Sequence, residues 1–362
     1  MTSAPSLYRT LLALTKPTVV ILLQVTALCA VLSHDLLEAG GFSKLDYAAS
    51  FETIIIVFIG GYLTAGGANS INMWYDRDID PIMGRTADRP IPSGAISANA
   101  ALIFGISISI IGVIWFNFMT NSVAAFWAAF SILFYVFIYT IWLKRTSTQN
   151  IVIGGLAGAT PPVIGWAAAV GDLSLSTNSV NSFINSIFDL GSIMPWFLLL
   201  VIFLWTPPHF WALALYRSEE YEKVNVPMLP GVKGAKRTLV EMKIYTILLI
   251  LLSFLAPATM DGINSTDSIY YIYGLTIIAI SIWYGSTVFK ILPDEEKDSS
   301  GRIPSAARSF WVSMIYLALI FVVVVTASAG QFGAILGAIL TVVIIGRNEL
   351  KARKQINPFQ TD

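Results

Sequence analysis

Runs of about 18 or more mostly apolar residues recur along this chain, each long enough as a helix to cross a hydrocarbon core of roughly 30 Å. They fall near 18–33, 53–72, 98–118, 123–143, 150–170, 194–215, 240–260, 269–290 and 309–328, with a shorter tenth at 332–346. Of 362 residues, 56% are hydrophobic and 12% charged, too few polar groups to coat a soluble domain. Helices satisfy their backbone groups internally in lipid, as only closed barrels otherwise do. The expected fold is therefore all-α, a polytopic membrane helix bundle of nine spans plus a tenth near 332–346. Residues 1–330 read as a single membrane domain, and 331–362 as an extra apolar segment with a basic tail.

The net charge of zero hides an asymmetry. With the N-terminus inside, the inner segments carry Lys16, Arg77, Arg85, Arg89, Lys144, Arg145, Arg217, Lys236, Arg237 and Arg308, and the cluster 347–354. The outer loops carry Lys44 against Asp35, Glu38, Asp46, Glu52, Asp172, Asp189, Asp261 and Asp267. The positive-inside rule sets the orientation, and returning the basic tail to the inner side requires the tenth span. Cys29 is the one cysteine, which excludes a disulfide framework or a cysteine metal site. The first apolar run lacks the flanks of a signal peptide or a mitochondrial presequence and reads as a retained span. A cytoplasmic (inner) cell membrane of bacterial type is the expected location, with nothing that points to nucleic acid. The outer loop 171–193, rich in Ser and Asn, reads as a solvated connection.

Three stretches carry chemistry, all at inner ends of spans. The first is Asn72-Met-Trp-Tyr-Asp76-Arg-Asp78-Ile-Asp80, followed by Arg85, Thr86, Arg89 and Pro90. On a helix, 72, 76 and 80 share one face, and oxygen side chains on one stripe suit Mg²⁺. The arginines offer planar forks for phosphate oxygens, while Pro81, Pro90 and Pro92 stiffen the loop. A hydrated helix end is the plainer alternative; the alternation of acids and arginines favours a clamp for a metal and a diphosphate.

The second stretch is Trp205-Thr-Pro-Pro-His209-Phe-Trp, running on to Glu219 and Glu220. A histidine at membrane depth is functional by default. His209 could ligate haem iron, exchange protons or hydrogen-bond a neighbour; Glu219 and Glu220 could hold a second cation or be a hydrated helix end. The third stretch is Lys144-Arg145 with Asn150 and Gly154, Gly155 and Gly158. The basic pair serves as a topology anchor or a phosphate contact. Small residues allow close helix packing, and Asn150 has the better claim to a catalytic face.

Together the acidic motif, Lys-Arg-Thr…Asn-Ile-Val-Ile-Gly-Gly, Thr-Pro-Pro-His-Phe-Trp-Ala-Leu-Ala and Val226-Pro-Met-Leu-Pro resemble the protohaem IX farnesyltransferase (haem O synthase) family. That family is a branch of the intramembrane aromatic prenyltransferase (UbiA-type) superfamily, and the likeness runs from about Thr15 to Tyr316. It implies farnesyl transfer from farnesyl diphosphate to a vinyl group of haem b with addition of water, Mg²⁺ as cofactor, and the bilayer as setting. It further implies Asn72, Asp76, Asp80 and His209 as catalytic, and Arg85, Arg89, Lys144 and Arg145 as diphosphate contacts. Asp76, Asp80, Glu219 and Glu220 become metal ligands, and His209 the haem-side residue. Glu220-Tyr221 stands where the family carries Asp-Tyr. Haem A synthase or terminal-oxidase assembly factors are the implied protein partners. Two alternatives stay open: transfer to a quinone precursor or chlorophyll-like acceptor, and a haem or lipid carrier without catalysis.

Overall fold

The computed structural model describes residues 6–84, 86–216, 226–260, 262, 266–295 and 303–356, all helix, turn or coil. Arg85, Glu219 and Glu220 lie outside the described residues. The chain opens with α1 (Leu7–Leu14), α2 (Pro17–Ala39), α3 (Tyr47–Tyr75) and α4 (Ala98–Met119). Next comes α5 (Ser122–Leu133), prolonged by a π-helical stretch Phe134–Leu143 and a final turn Lys144–Thr146. Then follow α6 (Asn150–Ala159), α7 (Pro161–Val170), α8 (Val180–Phe188), α9 (Met194–Tyr216), α10 (Leu229–Ser253), α11 (Ser268–Phe289), α12 (Pro304–Ser328) and α13 (Gln331–Ile356).

Consecutive long helices are neighbours, and the series closes into a ring because α2 also packs against α7 and α12. Short connections favour antiparallel neighbours, and closure gives each helix two protein faces. Outward positions stay apolar: Ile103, Ile110, Leu275, Trp311 and Val342 are all more than half exposed. In water such a surface would drive aggregation; against acyl chains it is the expected exterior. The interior instead admits hydroxyls and amides, among them buried Gln24, Thr64, Asn69, Thr246, Ser281 and Ser313. Each donates to a backbone carbonyl, within its own helix or, as where Gln24 reaches the Phe58 carbonyl at 2.7 Å, across to another element.

Among the described residues, nine helices are long and apolar enough to cross a membrane. Their membership bears out the tenth expected span and departs from expectation at the seventh. The C-terminal stretch qualifies, as Gln331–Arg353, and α13 packs on α11 and α12. Its Gly333 and Gly337 lie so close to Thr326 that a Cβ would come within 1.8 and 2.5 Å of it. The seventh expected span does not qualify. Its helix, α10, ends at Ser253, and carries Lys236, Arg237, Glu241 and Lys243 before its apolar end. The remainder continues as a 3₁₀ turn, Ala256–Thr259.

The connection 171–193 is more than the solvated loop expected of it. Val180, Phe183, Ile184, Ile187 and Phe188 repeat at helical spacing and form one face of α8. Ser179 caps it, accepting from the Ser182 N–H at 3.1 Å. The indoles of Trp127 and Trp166 donate to the carbonyls of Ile187 and Leu190, tying this helix onto the bundle.

Candidate active site

α3 ends where its apolar run meets the acids. The helix closes with Asp76 N–H on the Asn72 carbonyl, and a 3₁₀ turn takes over at Asp76–Asp78. Even so, the Asp80 N–H reaches the Asp76 carbonyl at 2.9 Å. That unbroken four-residue ladder keeps Asn72, Asp76 and Asp80 on one face although the α-helix has stopped. All three are buried, Asp76 completely. Asp78 points outward with its side chain 57% exposed.

Buried carboxylates require partners, and each acid has one. Lys144, at the end of the π-helical stretch, donates to Asp76 Oδ2. Arg89 donates to both Asp80 oxygens, at 2.8 and 2.9 Å. Arg145 forks onto Asp78 at 2.6 and 2.7 Å and stacks over Tyr75 at 4.6 Å. The loop after Asp80 is held by Thr86, whose hydroxyl donates to the Asp80 carbonyl at 2.9 Å. Burial raises the Asp80 carboxyl above its ordinary value, outweighing the opposing pull of Arg89.

Lys16 completes the group, though the charge pattern marks it only as an inner-side cation. It is the only described non-glycine residue with positive φ, at 52°, a conformation that costs roughly 1–3 kcal/mol. That backbone turn, locked by Pro17 at the start of α2, puts its ammonium on Asn72 Oδ1 at 2.7 Å. Asn72 Nδ2 in turn donates to Thr140 at 3.2 Å. Burial, then the charges of Arg89 and Lys144, lower the Lys16 ammonium from 10.5 to about 7. The signal in the sequence was a lysine followed by proline at the mouth of the first span.

These groups line a cavity of about 190 Å³ at one end of the ring. Lys16, Asn72, Asp76, Asp80, Arg89, Lys144 and Asn150 form its polar wall; Tyr135, Tyr139, Ile151, Phe210, Leu213 and Met228 continue it into the apolar bundle. Tyr135 and Tyr139 stack at 5.3 Å. They sit in the π-helical stretch, a geometry often found at functional sites, and the sequence reading did not single out either ring. Arg145 flanks this wall through its contacts with Asp78 and Tyr75.

His209 is not in that cavity. Phe210, its neighbour, faces the cavity, while His209 packs toward α12 between Trp205 at 4.1 Å and Phe310 at 4.8 Å. Its Nδ1 lies 2.6 Å from the Ser313 hydroxyl. That hydroxyl already donates its proton to the Phe310 carbonyl at 2.5 Å, so Nδ1 carries the hydrogen in this pair. A neutral ring therefore has its lone pair at Nε2.

Among the described residues no three His, Cys, Asp or Glu side chains gather as a metal cluster. Mg²⁺ commonly uses one or two carboxylates and takes its other oxygens from substrate phosphates and water. Asp76 and Asp80 fit that pattern, and Asp76 Oδ1 is buried with no hydrogen-bond partner. The donor set thus suits a divalent cation that arrives with a diphosphate.

A ring of apolar helices around a charged mouth is also the fold of solved intramembrane prenyltransferases. The chain matches a digeranylgeranylglyceryl phosphate synthase with a TM-score of 0.65 at 18% identity, covering 89% of this chain and 98% of that one. It matches a UbiA homologue from Archaeoglobus fulgidus, bound to DMAPP and Mg²⁺, with a TM-score of 0.54 at 15% identity, covering 87% and 99%. At these identities the likeness establishes the fold. The UbiA prenyltransferase family model matches residues 27–302, and the chain belongs to that family; it is a prenyltransferase. Among its relatives, the protoheme IX farnesyltransferase of Beijerinckia indica is 40% identical over 332 residues, 91% of each chain. That of Acidiphilium cryptum is 41% identical over 310 residues, 86% of this chain and 87% of the other.

Proposed function

We propose that this enzyme transfers the farnesyl group of farnesyl diphosphate to a vinyl group of haem b, with water supplying a hydroxyl, to give haem O. The observation that carries the transfer chemistry is the cavity in which Asp76 and Asp80 stand among Lys16, Arg89 and Lys144. The relatives' names carry the acceptor.

Three cationic side chains and two carboxylates leave the wall one positive charge in excess. One divalent cation on Asp76 and Asp80 would raise the excess to three, the charge that balances a fully ionised prenyl diphosphate. Bound there, Mg²⁺ would supply Lewis-acid stabilisation of the departing diphosphate. Lys16, Arg89 and Lys144 disperse the same charge by donating to its oxygens, and Arg145, with Asp78 and Tyr75, braces the rim. Arg85 belongs by position to this basic set. Asn72 fixes the Lys16 ammonium. Tyr135, Tyr139 and Phe210 cover the allylic end with aromatic faces, which favour a cation, and the apolar wall excludes bulk water until the new C–C bond has formed. In balance, the allylic C–O bond breaks and a bond to the vinyl carbon forms. Water then adds to the resulting cation beside the porphyrin, losing one proton; diphosphate leaves.

His209 is the proposed haem-side residue, supported by the hydrogen bond that keeps Nε2 free of a proton in the neutral ring. Its place outside the acidic cavity favours a second reading, a ring that locks α9 to α12 through Ser313. Glu219 and Glu220 remain proposed second-cation ligands on position alone. The charge asymmetry supports a cytoplasmic cavity in the inner membrane, and the resemblance supports haem A synthase or oxidase assembly factors as partners.

The acceptor test uses purified protein, Mg²⁺ and farnesyl diphosphate, offered haem b or 4-hydroxybenzoate. Diphosphate release and a prenylated product are expected with haem b. Product with 4-hydroxybenzoate alone would establish the quinone-precursor reading, and no diphosphate release with either would leave a carrier.

A further inference from the structure

Among the described residues, two buried oxygens of the cavity wall lack a hydrogen-bond partner, Asp76 Oδ1 and Asn150 Oδ1. The first belongs to the acidic motif. The second stands at the first position of α6, and its residue is 1% exposed.

The orientation of the Asn150 amide follows from its other end. Nδ2 donates to the Pro227 carbonyl at 3.4 Å, next to Val226 and Met228 of the wall. Rotating the amide would set two carbonyl oxygens against each other, so Oδ1 is the atom left without a partner. Such an acceptor meets no protein donor, although Lys16, Arg89 and Lys144 line the same cavity. Those cations are already engaged, with Asn72, Asp80 and Asp76 respectively. What these two oxygens lack is a partner, and a cation arriving with the diphosphate would supply one to both.

We propose that Asn150 Oδ1 is a third protein oxygen donor to the divalent cation held by Asp76 and Asp80, bringing α6 and the Val226–Met228 segment to the metal–diphosphate complex. A neutral amide oxygen is an ordinary ligand for a hard cation and adds no charge that would repel the diphosphate. This inference rests on the metal reading given under the proposed function. It assigns Asn150 two simultaneous contacts, Nδ2 holding the Pro227 carbonyl and Oδ1 meeting the cation.

Mn²⁺ serves as the probe, its binding to the full-length detergent-solubilised chain followed by electron paramagnetic resonance with inorganic pyrophosphate present. Asn150→Ala should weaken Mn²⁺ binding by at least roughly 10–100-fold, a loss that removal of a group merely supporting a metal's ligands already brings. Asn150→Asp keeps the oxygen but loses the donor to Pro227, and should bind Mn²⁺ at least as tightly as the wild type. If Asn150 acts only by holding Pro227, both variants weaken binding equally, and that result overturns the inference. Unchanged affinity in Asn150→Ala, with Asp76→Asn still impaired, overturns it too while leaving the metal reading intact. Absence of Mn²⁺ binding by the wild type would remove that reading, and this inference with it. Circular dichroism and gel-filtration profiles matching the wild type identify the variants fit for comparison.

Discussion

Lys16 shows how a single backbone angle builds a charged site. A left-handed residue before proline is costly, yet it brings an ammonium to Asn72 that no helical position of α2 would supply. Its value near 7 has consequences of definite sign. The unfolded chain binds more protons than the folded one between about 7 and 10.5, so this residue's contribution to stability improves as pH rises through that window. Substrate binding runs the other way. The cavity needs the charged ammonium, so diphosphate binding above pH 7 takes up a proton. Affinity for farnesyl diphosphate should fall from pH 7 to 9 more steeply in the wild type than in Lys16→Gln. Calorimetry in buffers of different ionisation heat reads both the slope and the proton; identical slopes would exclude this role. His209 is tested separately, by the absorption spectrum of the haem-loaded protein. If its Nε2 meets iron, His209→Ala shifts the spectrum while farnesyl diphosphate still binds. An intact spectrum with a loss of stability of roughly 1–3 kcal/mol, usual for a broken buried hydrogen bond, would make it the lock between α9 and α12. The acids, Arg89 and Lys144 were legible as residues because their chemistry and spacing are local. Lys16, Tyr135 and Tyr139 were not, since their roles depend on a left-handed turn, a π-helical stretch and contacts across more than fifty positions of sequence.

At the scale of elements, close helix contacts decide where the site's side chains stand. A Cβ on Gly165 would lie 2.2 Å from the backbone oxygen of Ala27, which cannot swing aside. A Cβ on Gly154 would meet the Tyr139 ring, also at 2.2 Å, but a side chain can move. Overpacking a membrane interface costs roughly 1–3 kcal/mol, so Gly165→Ala should lower thermal stability in detergent. Gly154→Ala should keep more of that stability and lose turnover, because the displaced ring lines the cavity. Equal stability loss with equal turnover would contradict this division. The glycine cluster was readable as a packing device, though unevenly so. Gly154 meets Tyr139 and Gly155 meets Thr206, whereas Gly158 has nothing within 4 Å. Helix α8 was missed because four Ser and Asn residues alternate with the five apolar side chains of its face, and the flanking loop is itself rich in both. The seventh span was overextended because hydropathy continues past Ser253 although the helix does not.

For the whole molecule, long apolar runs made the all-helical membrane bundle legible, since lipid leaves few other solutions for the backbone. Ring closure between α2 and α12 was not, because no local pattern encodes which distant helices meet. The orientation rests on charge alone. Reporters fused after residues 95, 147 and 235 should be cytoplasmic, and one near 180 external; a cytoplasmic signal at 180 would invert the map and move the cavity to the other face. The central claim concerns the product. Haem extracted from membranes expressing the wild-type chain, separated by hydrophobicity and weighed by mass spectrometry, tests it directly. A new, more apolar haem is expected, heavier than haem b by one farnesyl group and one hydroxyl, and absent when Asp76→Asn replaces the wild type. Haem b alone from both membranes, with the wild-type protein present and folded, would contradict the assignment.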